Sequence, residues 1–286
     1  MNIRWPRNLI EEIAYRRCIL FIGSGVSATA IDKDGKSPET WGGFLNGAKK
    51  LINPVHNNSI PFIEKMLSQN NYLLALQAIY DSCDPGIYSS YLRDIFSNPD
   101  YQASNVHHLL KEIDPKILIT TNFDKIYDNL CNSHGYAVAN YTEVRKILSN
   151  IKSTTNLIIK AHGTIDDIDQ LVFTQKQYYN AKKDYPEFYN LLQALFMTNS
   201  VLFLGYSLND PDINLILETI SANSSAISCP HYVVLKEGVD KEIKKFWHDC
   251  YNIICLEYGP EYENFAENVL ELSNLVSQYR LERKMP

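Results

Sequence analysis

Six short runs of continuously apolar sequence limit what this chain can become: Cys18–Ile22, Lys116–Thr120, Asn156–Lys160, Val201–Gly205, His231–Lys236 and Ile253–Leu256. A run without polar alternation has no face to show to water. It therefore reads as a strand covered on both sides, the usual state of a parallel strand. Tyr136–Ala139 is a weaker candidate of the same kind. Amphipathic segments separate most of the runs: Lys125–Ser133, Pro186–Thr198, Asp212–Ser221, Asp240–Cys250 and Tyr262–Tyr279. Strand and helix in alternation predict an α/β fold, a Rossmann-like, doubly wound and mainly parallel sheet.

One region breaks that rhythm. Between Trp41 and Ile113 the periodicity is helical, at Trp41–Leu51, Ile60–Leu67, Tyr72–Ser82, Ile87–Phe96 and Val106–Ile113. The breakers Asn53-Pro54, Asp84-Pro85-Gly86 and Asn98-Pro99 divide these segments. The expectation is a single domain over residues 1–286, with an all-helical insertion at 41–113 between its first two strands. Both ends of such an insertion are anchored beside those strands, which suits a lid or docking surface. Its aromatic residues, among them Trp41, Phe44, Tyr72, Tyr91 and Phe96, read mostly as core.

Composition narrows the function classes. A net charge of -6 and the lack of a long basic run argue against a nucleic-acid surface. No stretch approaches the roughly 20 apolar residues of a membrane span. The start, MNIRWPRNLIEEIAYRR, lacks a hydrophobic signal core, so a cytoplasmic location is expected. The six cysteines are scattered without a C-x-x-C, which suggests reduced thiols and no zinc site.

Chemistry concentrates at the strand ends. After the first run, Gly23-Ser24-Gly25-Val26-Ser27-Ala28 fits the dinucleotide pattern G-x-G-x-x-A, whose glycines let a backbone approach a pyrophosphate. The acidic residue that a dehydrogenase sets about 20 residues later is missing. IDKDGKSPETWGG stands in its place, which weakens a redox reading. The second run ends in Thr120-Thr121-Asn122-Phe123-Asp124, at the edge where α/β sheets bind ligands. Asn122 offers a donor and an acceptor, suited to a ribose hydroxyl or a water. Asn122 and Asp124 equally suit capping of the next helix. A later run ends in His162-Gly163, where a histidine can exchange protons near neutral pH. Another ends in Gly205-Tyr206-Ser207-Leu208, where Gly205 and Ser207 can reach a ribose or phosphate, while Asp210 and Asp212 suit a helix cap.

Taken in order, G-S-G-V-S, T-N-F-D, H-G and G-Y-S-L resemble the sirtuin family, which reads G-A-G-x-S, T-Q-N-x-D, H-G and G-T-S-L along a Rossmann-type sheet. The resemblance spans about residues 15 to 258, outside the helical insertion. Two features of protein deacylases are missing: the four-cysteine zinc module after H-G, and the P-D-F-R segment after the glycine loop. The pattern is closer to the bacterial sirtuin-like domains of anti-phage defence, which consume NAD+. That resemblance implies Asn122 and His162 as catalytic residues, with His162 the general base. It implies nucleotide contacts from Gly23, Ser24, Gly25, Ser27, Thr121, Asp124, Gly205 and Ser207, with NAD+ as substrate and no zinc. A non-catalytic NAD+ or ADP-ribose sensor and an NAD-dependent deacylase remain alternatives.

An unrestrained NAD+ hydrolase would poison its own cell, so control by assembly is expected. The resemblance implies a homo-oligomer or a partner such as a HerA-type ATPase or an Argonaute-type protein, with no direct nucleic-acid binding and no membrane. The amphipathic stretch from Phe265 to Tyr279 suits either such a contact or packing on its own sheet.

Overall fold

A computed structural model describes residues 2–39, 41–97, 99–206, 217 and 229–285. The strands are β1 (Cys18–Ile22), β2 (Ile117–Thr120), β3 (Ala137–Asn140), β4 (Leu157–Lys160), β5 (Ser200–Leu204), β6 (His231–Lys236) and β7 (Ile253–Tyr258). They form one sheet in the order β3-β4-β2-β1-β5-β6-β7. Every pairing is parallel. Every residue of β1, β2, β4 and β5 is buried, as expected of runs without alternation. The fold class is thus the Rossmann-like α/β sheet that the sequence predicts.

Successive strand residues point to opposite faces, and the core divides accordingly. Ile19, Phe21, Ile119, Ile159 and Phe203 pack on one face with Phe188, Leu192 and Phe196 of the helix Pro186–Thr198. Leu20, Ile22, Leu118, Ile158 and Leu202 pack on the other, with Leu9 and Ile13 of Arg7–Ala14 and Val269, Leu272 and Val276 of Glu263–Glu282. The final amphipathic stretch therefore spends its apolar face on its own sheet. Two long-range links pin the chain's opening residues to that last helix. Ile3 N donates to Asn268 Oδ1 at 2.6 Å, and Arg280 Nε donates to Ala14 O at 3.1 Å. A second nitrogen of Arg280 reaches Ile13 O and Ile113 O.

Between β1 and β2 the described residues form helices at Trp41–Lys49, Ile60–Ser68, Tyr72–Ser82, Pro85–Phe96 and Asn105–Glu112. Pro85 opens its helix with a preset φ, and Asp84 caps it by accepting from Gly86 N and Ile87 N. The isolated bridges Ile31↔Gln102 and Ile52↔Cys83 tie the region's loops together. A third core lies here, with Phe44, Leu45, Ile63, Leu76 and Ile79 closing on Phe123, Ile165 and Phe173 from beyond the strand ends. Arg7–Ala14, Val144–Ile151 and Gln175–Asp184 are helices that the periodicity did not mark. The expected helix Asp212–Ser221, with Asp210 and Asp212, lies outside the described residues except for Leu217, which is helical and buried.

Candidate active site

Strands β4, β2, β1 and β5 are consecutive in the sheet, so their carboxyl ends share one rim. The loop after β1 meets the loop after β5 backbone to backbone. Gly23 N donates to Leu204 O at 2.9 Å, and Gly25 N donates to Gly205 O at 2.8 Å. A Cβ on Gly25 would stand 2.8 Å from Gly205 O. Gly205 has φ +73°, and its Cβ would stand 2.5 Å from Val26 N. These two glycines therefore have a packing reason for being glycine, independent of any ligand.

The end of β2 is tied to that loop by directional bonds. Thr120 Oγ1 donates to Ile22 O at 3.0 Å and accepts from Asn122 N at 3.0 Å. The Asn122 amide nitrogen donates to Gly23 O at 2.9 Å and to Ser27 Oγ at 2.8 Å. A carbonyl only accepts, so the nitrogen must face Gly23 and the orientation of the amide is fixed. Asn122 Oδ1 is then left as an acceptor, and it receives no hydrogen bond among the described residues. Ser27 Oγ passes the chain on by donating to Asp124 Oδ2 at 2.7 Å. Asp124 Oδ1 accepts at 3.0 Å from the backbone N–H of Ile126, the first residue of the helix Ile126–Asn132, whose N-cap position is Lys125. Asp124 thus ties down the turn before this helix and also lines the cleft. Thr121 Oγ1 lies 2.9 Å from the Tyr206 hydroxyl, which donates to Ile22 O at 3.2 Å.

A cleft opens above this network, with about 700 Å³ of space that includes part of the solvent at its mouth. Ser24, Ser27, Thr121, Asn122 and Asp124 make its polar floor. Pro38, Glu39, Trp41, Phe44, Phe96, Tyr101, Phe123 and Phe173 make its wall. Phe173 holds the wall together, with ring centroids 5.1 Å from Trp41, 5.0 Å from Phe44 and 4.6 Å from Phe123. Tyr101 titrates above the usual phenol range because of burial and, beyond that, the carboxylates of Asp32, Glu39 and Asp124. Its hydroxyl stays a neutral donor. With two carboxylates and several ring faces on its lining, the cleft suits a flat, cationic ligand that also carries hydroxyls.

His162 departs from the expectation that it lines the cleft beside Asn122. It is only 3% exposed and is absent from the lining. Its Nδ1 lies 3.2 Å from the Tyr178 hydroxyl, and the two rings meet edge to face at 4.9 Å. Tyr178 lies against the ring, and segment 170–173 runs along its backbone. Val172 N donates to His162 O at 3.0 Å. Gly163 has φ +86°, and its Cβ would stand 2.6 Å from Gln170 O, so only glycine admits this crossing.

The structure therefore brings Ser24, Ser27, Thr121, Asn122 and Asp124 together on one floor. Gly23, Gly25 and Gly205 form the frame beneath it, and His162 sits behind the wall. Ser207 lies outside the described residues. Sequence reasoning missed Glu39, Tyr101, Phe123 and Phe173; Trp41, Phe44 and Phe96 pack in the third core as expected and line the cleft as well. Among the described residues no group of three or more His, Cys, Asp or Glu side chains is placed to hold a metal. None of the helices there is long and apolar enough to cross a membrane.

Comparison with known proteins adds an independent line. Residues 116–255 match the SIR2-like domain family. Defense-associated sirtuin 2 of Bacillus subtilis is 24% identical over 220 residues, covering 75% of this chain and 20% of that protein. NAD(+) hydrolase ThsA of Enterococcus faecium is 28% identical over 156 residues, covering 53% of this chain and 32% of that protein. NAD(+) hydrolase ThsA of Acinetobacter baumannii is 26% identical over 232 residues, covering 80% of this chain and 44% of that protein. The chain spans less than half the length of each of these relatives.

Proposed function

We propose that this sirtuin-like chain hydrolyses NAD+ to nicotinamide and ADP-ribose, as an effector of anti-phage defence. The observation that carries the reading is Asn122. Its amide is locked by Gly23 and Ser27, and its unengaged Oδ1 stands on the floor of a cleft walled by aromatic rings. The relatives named for NAD(+) hydrolysis and for defence support the same substrate and setting.

The chemistry follows from the groups on the lining. The bond between ribose C1′ and the pyridinium nitrogen breaks, and its electron pair neutralises the leaving nicotinamide. Positive charge moves onto the ribose, where the carboxylates of Asp124 and Glu39 favour it through the low-dielectric cleft. Water adds at C1′ and releases one proton. Asn122 Oδ1 accepts from a ribose hydroxyl or from that water, which fixes the attacking geometry. The Gly23–Ser27 loop seats the pyrophosphate, with Gly23, Gly25 and Gly205 as its frame, Ser24 and Thr121 on the lining, and Ser207 assigned there from the sequence alone. His162 takes the proton as general base. For that its surroundings must move, and segment 170–173 is the part to shift, since Phe173 lies on the cleft side and Val172 is bonded to His162.

The test is to incubate purified protein with NAD+ and measure free nicotinamide and ADP-ribose, with and without an acylated peptide. Release of both without peptide is expected. Peptide-dependent release would favour deacylation, and binding without turnover would favour a sensor. We further propose control by assembly, with itself or with an ATPase or Argonaute-type partner. Sedimentation beside the same assay tests it, and a fully active monomer would refute it.

A further inference from the structure

We infer that Lys160 is a positioning residue, whose buried ammonium sets the turn that presents Asn122 to the cleft. The last residue of β4 aligns with Thr120 of β2 and Asn140 of β3, directly beneath the rim. Its side chain is 1% exposed, within the range of the apolar core, although it carries a charge. Among the described residues the ammonium makes two contacts. One is an ion pair with Asp128 Oδ2 at 3.3 Å, whose side chain is 6% exposed. The other is a hydrogen bond to the main-chain carbonyl of Asp124 at 2.6 Å.

Stability alone does not explain this arrangement. A buried ion pair gains little over a well-packed apolar pair, because both charges lose their water. This pair is also incomplete, since Asp128 Oδ1 is buried without a partner. What the ammonium does accomplish is to grip the backbone where the turn after β2 ends. The Asp124 carboxylate then holds Ser27, and Ser27 holds the Asn122 amide. A line therefore runs from the core to the Asn122 amide, through the Lys160 hydrogen bond, the covalent frame of Asp124 and the bonds of Ser27. A displacement of the turn by an ångström would misaim the oxygen of that amide, a change able to cost about 10²-fold in rate.

The functional half of this inference rests on the hydrolase reading, so the test uses one readout that does not. The double variant Lys160→Met with Asp128→Leu removes both charges and keeps an apolar filling. It should unfold cooperatively near the wild-type midpoint. Its kcat for NAD+ should fall about 10–100-fold with KM within about threefold. By NMR the Asn122 side-chain amide protons, each bonded in the wild type, should exchange with water at least about tenfold faster in the variant. Wild-type exchange at Asn122 in the folded variant would overturn the positioning role. Faster exchange in a protein whose wild type leaves NAD+ intact would uphold that role and sink the hydrolase reading instead. If the variant does not fold, the wild type decides. Its Lys160 ammonium protons should exchange slowly and couple across the hydrogen bond to the Asp124 carbonyl carbon. A fast-exchanging, uncoupled ammonium would overturn the inference.

Discussion

The floor and the wall of the cleft are built by different physics. On the floor, Asn122, Ser27 and Asp124 are joined by hydrogen bonds of 2.7–2.8 Å, in which every donor meets an acceptor. On the wall, Trp41 lies near-parallel to Tyr72 at 6.4 Å, tilted to Phe173 at 5.1 Å and edge-on to Phe44 at 6.4 Å, with no directional bond among the described residues to set its place. A floor of this kind fails abruptly when one atom is changed. A wall of this kind fails by degrees, because ring packing tolerates small shifts.

The largest effect should therefore come from the floor. Asn122→Ala should lower turnover by about 10²–10³-fold, while the loss of its two part-buried bonds costs about 1–2 kcal/mol of stability in urea unfolding. A loss of less than tenfold in nicotinamide release would mean that the floor is scaffold only. His162→Ala should lower turnover by about 10²-fold. Unlike a change at an open cleft, it should also destabilise by about 1–3 kcal/mol, since it empties a buried ring site and deprives the Tyr178 hydroxyl of a partner. Full activity in a folded His162→Ala protein would remove histidine from the mechanism.

Trp41→Ala tests the wall. KM for NAD+ should rise about tenfold as ring contact is lost, with kcat within about threefold. A kcat loss as large as that of Asn122→Ala would erase the distinction between wall and floor. The smallest effect concerns acid. His107 caps the helix Asn105–Glu112 from a buried site, and His231 is buried beside Phe196. Burial lowers both to about 4, against about 6.5 for a free imidazole, with Asp124 partly opposing this at His107. Between those values the unfolded chain binds more protons than the folded one, so stability falls as pH drops below about 6.5. Near pH 5.5 the cost should be about 1 kcal/mol for each histidine, read as a lower urea midpoint than at pH 8. A midpoint unchanged over that range would show that the folded rings take up protons as readily as those of the unfolded chain.

The same contrast decides what was legible in the sequence. Asn122 and Asp124 were legible because a strand end followed by polar residues is a local pattern. The partner that orients Asn122, Ser27, lies 95 positions earlier, and only the pairing of β1 with β2 brings it near. The glycine loop was legible as a loop, but its reason was only half visible, since Gly25 also answers to Gly205. Trp41, Phe44 and Phe96 recur at helical spacing, and nothing in that spacing separates a ring that fills a core from one that lines a cleft. Burial of His162 escaped sequence reading because segment 170–173, which runs along its backbone, carries no periodic signal. Lys160 closes an apolar run, where a lysine normally marks the exit to water. Its burial depends on Asp128, contributed by a helix elsewhere in the chain.

The Arg280 clasp has a consequence in time. The carbonyls at the end of Arg7–Ala14 wait for a guanidinium 266 residues further along the chain. At synthesis rates of about 5–20 residues per second, that wait lasts roughly 10–50 s. Throughout it, the face of the first helix that carries Leu9 and Ile13 lacks the helix Glu263–Glu282 against which it finally packs. The nascent protein thus carries an uncovered apolar seam until almost the whole of this sequence has been made. That seam is where chaperones, or neighbouring chains on a crowded polysome, would reach it first.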